Sequence, residues 1–595
     1  MDSDTFDVII VGGGTSGAVL ANRLSEDDNI RILLMEAGED LTAHPAVKCP
    51  SMGSTLLGTP ANWGFKTVCQ EVLGNRTNIA PAGRLLGGSS AVNGLVFLPN
   101  SEANINAWAD LGNPGWDWPN FSKSMARFGL AASPGTEGRS PLQLTIPEEN
   151  SKWPQVWRET LSALGFPVFS DAFSGEILGS LMGPETVDLD RQRSFSANAY
   201  LNNVVRSREN LTIWTETLVE KIIFDKSEKA TATAVQYRSC EKGKAKIAHA
   251  RKEIIVSAGA INSPRLLELS GIGNAELLNS LGIDIIVDNP NVGEHLQNHP
   301  MFSLSFEAVD ERGFETMDQF LRKDPDAIAA ARKAYANGIG PMSRSNINTL
   351  AQLPLANSED LRGIIDNLIP RHKDATIDSL AKAHESFVLS ILTSATEASG
   401  CYTTTPGFLS YESDGSPIPP PPGAEKYFTI AVHLSHPLSR GSVHITSSST
   451  PIATPSGLSL DPKYFSHPLD LEVLARHVQL AETIATTEPL SSHLKPGGKR
   501  SPDMPAAGGF SDIEKAKEYL RKRAKGAHHW MGSCAMSPRE LGGVVDAELK
   551  VYGCTNLRVC DASIIPIASR SNPQGVIYAI AEHAAQIIKS TLGRL

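Results

Sequence analysis

Asp7-Val8-Ile9-Ile10-Val11-Gly12-Gly13-Gly14-Thr15-Ser16-Gly17 (DVIIVGGGTSG) decides the fold. Val8 to Val11 are all β-branched and read as a buried strand, the glycines demand a tight turn, and Thr15 to Leu24 reads as a helix. A second apolar run, Ile30 to Met35, reads as the next strand. The unit is strand–helix–strand, for which a parallel pair with a right-handed crossover is expected. Gly12, Gly14 and Gly17 have the G-x-G-x-x-G spacing, and Glu36 stands nineteen residues beyond Gly17. The first glycine permits the turn, the second lets backbone approach a pyrophosphate at the helix N-terminus, and the third lets helix and strand pack closely. Glu36 can accept hydrogen bonds from ribose hydroxyls, which disfavours a 2′-phosphate there. The pattern specifies a dinucleotide without separating NAD from FAD.

The chain has 595 residues, room for several domains at roughly 100–200 residues each. Hydrophobic residues at 41% and charged residues at 20% allow an ordinary buried core and exclude wholesale disorder. With 54 basic and 65 acidic side chains the net charge is −11, which argues against a nucleic-acid partner. The local exception is the basic run Lys515 to Lys525. There Ser511 with Glu514 reads as a capping box that starts a helix, with Lys522, Arg523 and Lys525 in its last turn, where the helix dipole favours cations.

No apolar stretch approaches the ~18 residues of a membrane span, and the first strand begins too early for a secretory leader. An intracellular, cytoplasmic protein is expected, although Asn-x-Ser/Thr triplets at Asn75, Asn120 and Asn210 suit a secreted form. Gly593-Arg594-Leu595 only faintly echoes a peroxisomal address. Cys49, Cys69, Cys240, Cys401, Cys534, Cys554 and Cys560 contain no C-x-x-C pair, so reduced thiols are expected, with neither a zinc cluster nor a disulfide framework. Neither G-x-S-x-G nor H-E-x-x-H occurs, which removes support for a hydrolase, and no metal site is expected.

Farther along, Lys252 to Ser257 (KEIIVS) reads as a strand entering Ala258-Gly259-Ala260, with a helical segment over Ser263 to Ser270. From about Met301 to Gly526 the pattern changes to mixed helices and short strands such as Tyr427 to Leu434 and Gly441 to Thr446. Pro417 and Pro419 to Pro422 read as a stiff exposed connector.

Several segments carry a resemblance. Gly83-Arg84-Leu85-Leu86-Gly87-Gly88-Ser89-Ser90-Ala91-Val92-Asn93-Gly94 resembles the first hallmark of the glucose-methanol-choline (GMC) family of flavin oxidoreductases. Gly259 to Leu267 with Ser270 to Gly273 resembles the second. AWADLGNPGWDW (Ala107 to Trp118), VGEHLQNHP (Val292 to Pro300) and LRVCDASIIP (Leu557 to Pro566) fit the same family. The resemblance implies an α/β fold: a Rossmann-like FAD domain over 1–305 and 540–595, and a substrate domain over 306–539 built on an antiparallel sheet with helices. It places Glu36 at the adenosine ribose, Thr15 and Ser16 at the pyrophosphate and Val219 at the adenine, with Ala37 also binding the cofactor. Gly88 and the stretch Asn93, Gly94, Leu95 and Val96 would pass close to the isoalloxazine, with Trp63 beside the flavin, and Arg84 and Ser89 would also bind the cofactor. Asp561, Ala562, Pro573 and Gln574 would hold the ribityl chain and pyrimidine edge. Some relatives bind flavin covalently through a histidine in the glycine-serine loop; Val92 stands there, which implies non-covalent FAD.

The segment AHHWMGSC (Ala527 to Cys534) resembles the family's active-site stretch in a register that selects His529, and the second family position, forty-three residues later, is Asn572. A histidine titrates near working pH and can take the hydroxyl proton of an alcohol as its C–H hydride leaves. An amide can orient the alkoxide but cannot be a base. His528 gains no role from the resemblance. Trp530 replaces the usual small residue or proline, an aromatic suited to narrowing the pocket or stacking on an aromatic substrate, and Leu98-Pro99 replace an arginine common in relatives. The implied activity is oxidation of a primary or secondary alcohol, with O₂ or another electron acceptor, in small-molecule biosynthesis. A non-redox lyase or cyclase of the same family, with His529 as acid or base, is the alternative.

Overall fold

The computed structural model describes residues 4–128, 141–146, 151–169, 171–176, 178–225, 229–239, 243–347, 349–355, 359–369, 379–450 and 452–593. Cys240, Arg594 and Leu595 lie outside them. In the first of two seven-stranded sheets, the expected pair Thr5–Val11 and Ile32–Met35 runs parallel, with Val8 opposite Ile32 and Ile10 opposite Leu34. Leu211–Trp214 lies outside Ile32–Met35, Lys246–Val256 lies on the other side of Thr5–Val11, and Leu557–Val559 pairs with its end. Val8, Ile9 and Ile10 are wholly buried, as a parallel strand covered by helices on both faces requires. Thr217–Phe224 and Ala232–Ser239 continue the sheet antiparallel. A buried bidentate pair, Arg558 to Glu253 at 2.8 and 2.9 Å, joins Leu557–Val559 to Lys246–Val256.

The second sheet runs in the order Lys525–Gly526, Pro300–Ala308, Lys426–Leu434, Gly400–Thr405, Thr349–Leu353 and Gly179–Leu181, all antiparallel, with Val168–Phe169 added parallel. Residue 306 falls inside Pro300–Ala308, and earlier chain supplies the two short strands at the far edge. Side chains alternate faces along each strand. Phe302, Leu304, Ile430 and Val432 enter the core, where the helix Pro468–Ala485 packs, while Met301, Thr403, Thr405, Ala431, His433 and Lys525 face a cavity between this sheet and the first.

Two local expectations need correction. The helix Ile513–Arg523 is capped by Asp512, whose carboxylate accepts from Glu514 N at 3.0 Å; the Ser511 hydroxyl instead donates to Gly508 O. Lys522 and Arg523 end the helix as expected, but Ala524 is extended and Lys525 belongs to the edge strand, buried at 5% exposure. Backbone pairing of Lys525 with Met301 takes it out of the solvated helix face. The proline run also begins inside structure: Pro417–Ile418 pairs with Ser410–Tyr411, and this hairpin covers one side of the cavity. Among the described residues no helix is long and apolar enough to cross a membrane.

Candidate active site

The glycine turn is built on contacts that only glycine permits. Gly12 has φ +105°, and a Cβ there would meet Ser257 O at 2.4 Å; at Gly17 it would meet Gly12 O at 1.9 Å. Glu36 braces the turn: its two carboxylate oxygens accept from Gly13 N and Gly38 N, each at 2.8 Å. Burial pushes its carboxyl up to about 7 against those two bonds. At Gly14 a Cβ would find nothing nearer than 3.9 Å, so the backbone faces open space. The helix Thr15–Leu24 that follows has no side-chain cap, and the Ser16 hydroxyl is buried without a partner. Uncapped N–H groups, an unpartnered hydroxyl and open space over the glycines fit the pyrophosphate of a dinucleotide.

The second glycine turn, Gly87-Gly88, lies against the first; a Cβ on Gly88 would meet Gly14 Cα at 2.8 Å. The loop continues to Asn93, whose Oδ1 accepts from Leu95 N at 3.1 Å and from Arg193 Nη1 at 2.9 Å. Asn93 Nδ2 donates to Gln574 Oε1, and Gln574 Nε2 donates to Val96 O at 3.1 Å, which ties the loop to the start of the last helix, Gln574–Leu592. Arg193, 1% exposed, also donates to Asn93 O and Pro50 O. It is the support of this loop, and sequence reading gave it no role. Asp561 bolts the remaining side: its carboxylate accepts from Gly259 N at 2.8 Å, Ser263 Oγ at 2.5 Å and Ser563 N at 2.8 Å. Burial raises its carboxyl above the usual carboxylate range in spite of these donors.

One cavity of about 600 Å³ connects these parts. It is lined by Gly12, Gly14, Thr15, Ser16, Glu36, Ala37, Trp63, Gly88, Ser89, Asn93, Gly94, Leu95, Val96, Val219, Asp561, Ala562, Pro573 and Gln574, and also by His529 and Asn572. Of the residues nominated from sequence, Gly17 and Arg84 are off its wall. Gly17 packs under the turn, and the Arg84 guanidinium stands 5.0 Å over the Trp63 ring while its charge favours the ionised form of Glu36. Val92 lines the cavity as well.

His529 is held at three points. Its N–H donates to Asn298 Oδ1 at 2.8 Å, its Nδ1 lies 2.8 Å from His299 Nδ1, and its Nε2 lies 3.0 Å from Asn572 Nδ2. The partners assign the protons. His299 Nε2 is 2.8 Å from Ser569 O, which can only accept, so His299 carries its proton on Nε2. His299 Nδ1 is therefore the acceptor for His529 Nδ1–H, and His529 Nε2 is left as a bare lone pair facing Asn572. Burial lowers His299 to about 4 and His529 well below the ordinary histidine value; the neighbouring imidazoles and Lys525 depress His529 further.

His433 stacks on His299 with ring centroids 5.0 Å apart and meets His529 edge-on at 5.4 Å. Ligand nitrogens of the three histidines lie within 4.8 Å of one another. Two of them, 2.8 Å apart, are closer than the about 3.4 Å that a shared tetrahedral zinc imposes, and this is the distance of a hydrogen bond. His299 was visible in the NHP segment, but its place behind His529, 230 residues away, had no sequence signal. His528, at φ +64°, points its Nε2 to Lys525 Nζ at 3.0 Å. Trp530 is buried on the cavity wall.

A fold with a dinucleotide cradle and a histidine–amide pair on the wall of one cavity defines the site of a dinucleotide-dependent enzyme. Models of the GMC oxidoreductase family match residues 6–301 and 437–581. The chain is 33% identical over 617 residues to the GMC oxidoreductase family protein Mala s 12 of Malassezia sympodialis, covering 99% of this chain and 93% of that protein. An FAD-dependent oxidoreductase from Chaetomium thermophilum is 26% identical with TM-score 0.84, over 99% of this chain and 100% of that one. A formate oxidase is 25% identical with TM-score 0.84, over 100% of each chain. The protein belongs to the GMC oxidoreductase family and is an FAD-dependent oxidoreductase.

Proposed function

We propose that the protein oxidises a primary or secondary alcohol, with His529 as proton acceptor and Asn572 as the group that orients the substrate oxygen. The observation that carries this reading is the chain Ser569 O, His299, His529, Asn572, which leaves the Nε2 lone pair of His529 toward the cavity. A neutral imidazole with a fixed tautomer accepts a proton without first losing one. The alcohol hydroxyl takes the place of the Asn572 amide at Nε2 and passes its proton there. When bound, FAD supplies the acceptor for the hydride that leaves the carbinol carbon. One Asn572 N–H remains to bind the developing alkoxide, while its Oδ1, which has no partner, can accept from a second hydroxyl or a water.

Glu36 and the uncapped first turn of the helix Thr15–Leu24 would hold the adenosine ribose and pyrophosphate; the Gly88 to Val96 loop, Asp561 and Gln574 would hold the flavin half. Trp530 and the aliphatic side chains that also line the cavity suit a small molecule with an aromatic or apolar body, as enzymes of small-molecule biosynthesis take. Anaerobic mixing of the yellow holoprotein with a panel of alcohols tests the proposal. Bleaching of the flavin is the expected result; turnover without bleaching points instead to the lyase or cyclase chemistry.

A further inference from the structure

We propose that Lys525, with His528 and Tyr411 beside it, is a recognition site for a carboxylate, so that the alcohol presented to His529 is a hydroxy acid. The inference rests on the alcohol-oxidising reading and adds the substrate class. Lys525 begins the edge strand, pairs with Met301, and shares the cavity face of the sheet with His433. It is 5% exposed, and its Nζ contacts are His528 Nε2 at 3.0 Å and the Tyr411 ring, 4.1 Å to the centroid. Among the described residues no carboxylate pairs with it. Two other shielded cations near the second sheet have a counter-ion, Lys517 with Glu472 at 2.7 Å and Arg500 with Glu482 at 2.5 Å, while Arg440 spreads its charge over His384 Nδ1 and Pro566 O. Among the described residues the Lys525 ammonium meets neither a carboxylate nor a carbonyl.

Burying an ammonium without a counter-ion is costly, and the Tyr411 ring face offsets only part of that cost. Burial accordingly lowers the Lys525 amine to about 7. An anionic group on whatever fills the cavity would restore the ammonium and supply the counter-ion that the chain does not. The donors around this wall agree. Beside a protonated Lys525, His528 accepts on Nε2 and keeps its proton on Nδ1, which has no partner, and the Trp530 Nε1–H has none either. Near His529 the unpartnered atoms among the described residues include an acceptor, Asn572 Oδ1, beside the ring nitrogen His433 Nε2. Unmatched donors on one wall and an unmatched acceptor beside the base complement a molecule with an anionic group at one end and a hydroxyl at the other.

The arrangement also couples binding to chemistry. The positive charge of Lys525 is one of the influences that hold down the basicity of His529. A carboxylate docked on Lys525 cancels that charge, and His529 becomes a better proton acceptor when the acidic substrate is in place.

The experiment compares aryl and alkyl hydroxy acids of graded length, 4-(hydroxymethyl)benzoate among them, with their methyl esters, by anaerobic flavin reduction in the holoenzyme. At least one acid should exceed its ester by about tenfold or more in reduction rate over half-saturation concentration. That preference should fall toward unity in Lys525→Met, through half-saturation more than limiting rate, and persist in Lys525→Arg. Binding of 4-methylbenzoate, read as a perturbation of the flavin spectrum, should weaken by a similar factor in Lys525→Met. No acid preferred over its ester in the parent protein, or a preference retained in Lys525→Met, overturns the proposal. If no alcohol bleaches the flavin but 4-methylbenzoate binding still depends on Lys525, the anion site stands and the alcohol-oxidising reading falls. If acids and esters bleach it equally well, the reverse holds.

Discussion

Replacing Glu36 separates two jobs performed by one carboxylate. In the folded chain it satisfies Gly13 N and Gly38 N at 2.8 Å each, both on buried backbone. Glu36→Ala leaves two buried donors without partners, at about 1–3 kcal/mol each, so a loss of roughly 2–6 kcal/mol in stability is expected. Glu36→Gln keeps one acceptor oxygen and the side-chain volume, and should fold. What it loses is the charge that ribose hydroxyls would bond to, about 1.5–3 kcal/mol per bond, which weakens FAD binding by about tenfold to a hundredfold.

The pH dependence adds a second signature. Burial raises the folded-state pKa of Glu36 to about 7, above its unfolded value, so the apoprotein gains from the protonated form at acid pH and loses that gain as pH rises through about 7. FAD requires the ionised form as acceptor. Its dissociation constant should therefore rise by about tenfold for each pH unit below 7 in the parent protein, and be flat in Glu36→Gln. Titrating apoprotein with FAD by quenching of flavin fluorescence, from about pH 5.5 to 8, reads both. Parental affinity in Glu36→Gln with an unchanged pH profile would refute the ribose assignment and the magnitude with it.

His299 is a positioning residue. His299→Phe removes the acceptor for His529 Nδ1–H while keeping ring volume, so flavin reduction by alcohol should slow by about tenfold to a hundredfold with FAD content intact. His299→Gln, whose amide can both accept from His529 and donate to Ser569 O, should recover part of the rate; equal rates in both variants would mean the tautomer is not set from this side. His444 docks the strand Ser442–Ile445 on Glu268 and Glu294 at 2.7 and 3.1 Å. Burial alone opposes its charge, but the two carboxylates outweigh it and raise it to about 9. Its contribution to stability is complete below about pH 6.5 and is lost as pH rises through about 9. Melting curves over that range should show a decline that His444→Gln lacks, and parallel declines would discard the pair as its origin.

The dinucleotide cradle was legible because its demands are local. Gly12, Gly17 and Glu36 are fixed by contacts within one strand–helix–strand unit, and the side-chain alternation that buries Ile430 and Val432 can be read along one strand. Positions that depend on distant chain were not. His299 and His433 reach His529 only after two strands of the second sheet pair, Met301 opposite His433. Arg193 has the look of a surface arginine in a polar stretch, and only the fold shows it threaded beneath Asn93. Lys525 was misplaced for a related reason. A cation just past a helix reads as solvated, whereas here the chain leaves the helix at Arg523 and at once enters a sheet edge over the cavity. Asn572 was placed by family resemblance, but its contact with His529 Nε2 came from the structure.

The most direct measurement is the anaerobic reduction rate of His529→Ala beside that of the parent, both loaded with FAD and mixed with an alcohol that bleaches the parent. The flavin content should be equal and the variant's rate lower by about 10²- to 10⁴-fold. Bleaching at the parental rate would show that the proton leaves by another route, and that the imidazole at position 529 is not the base.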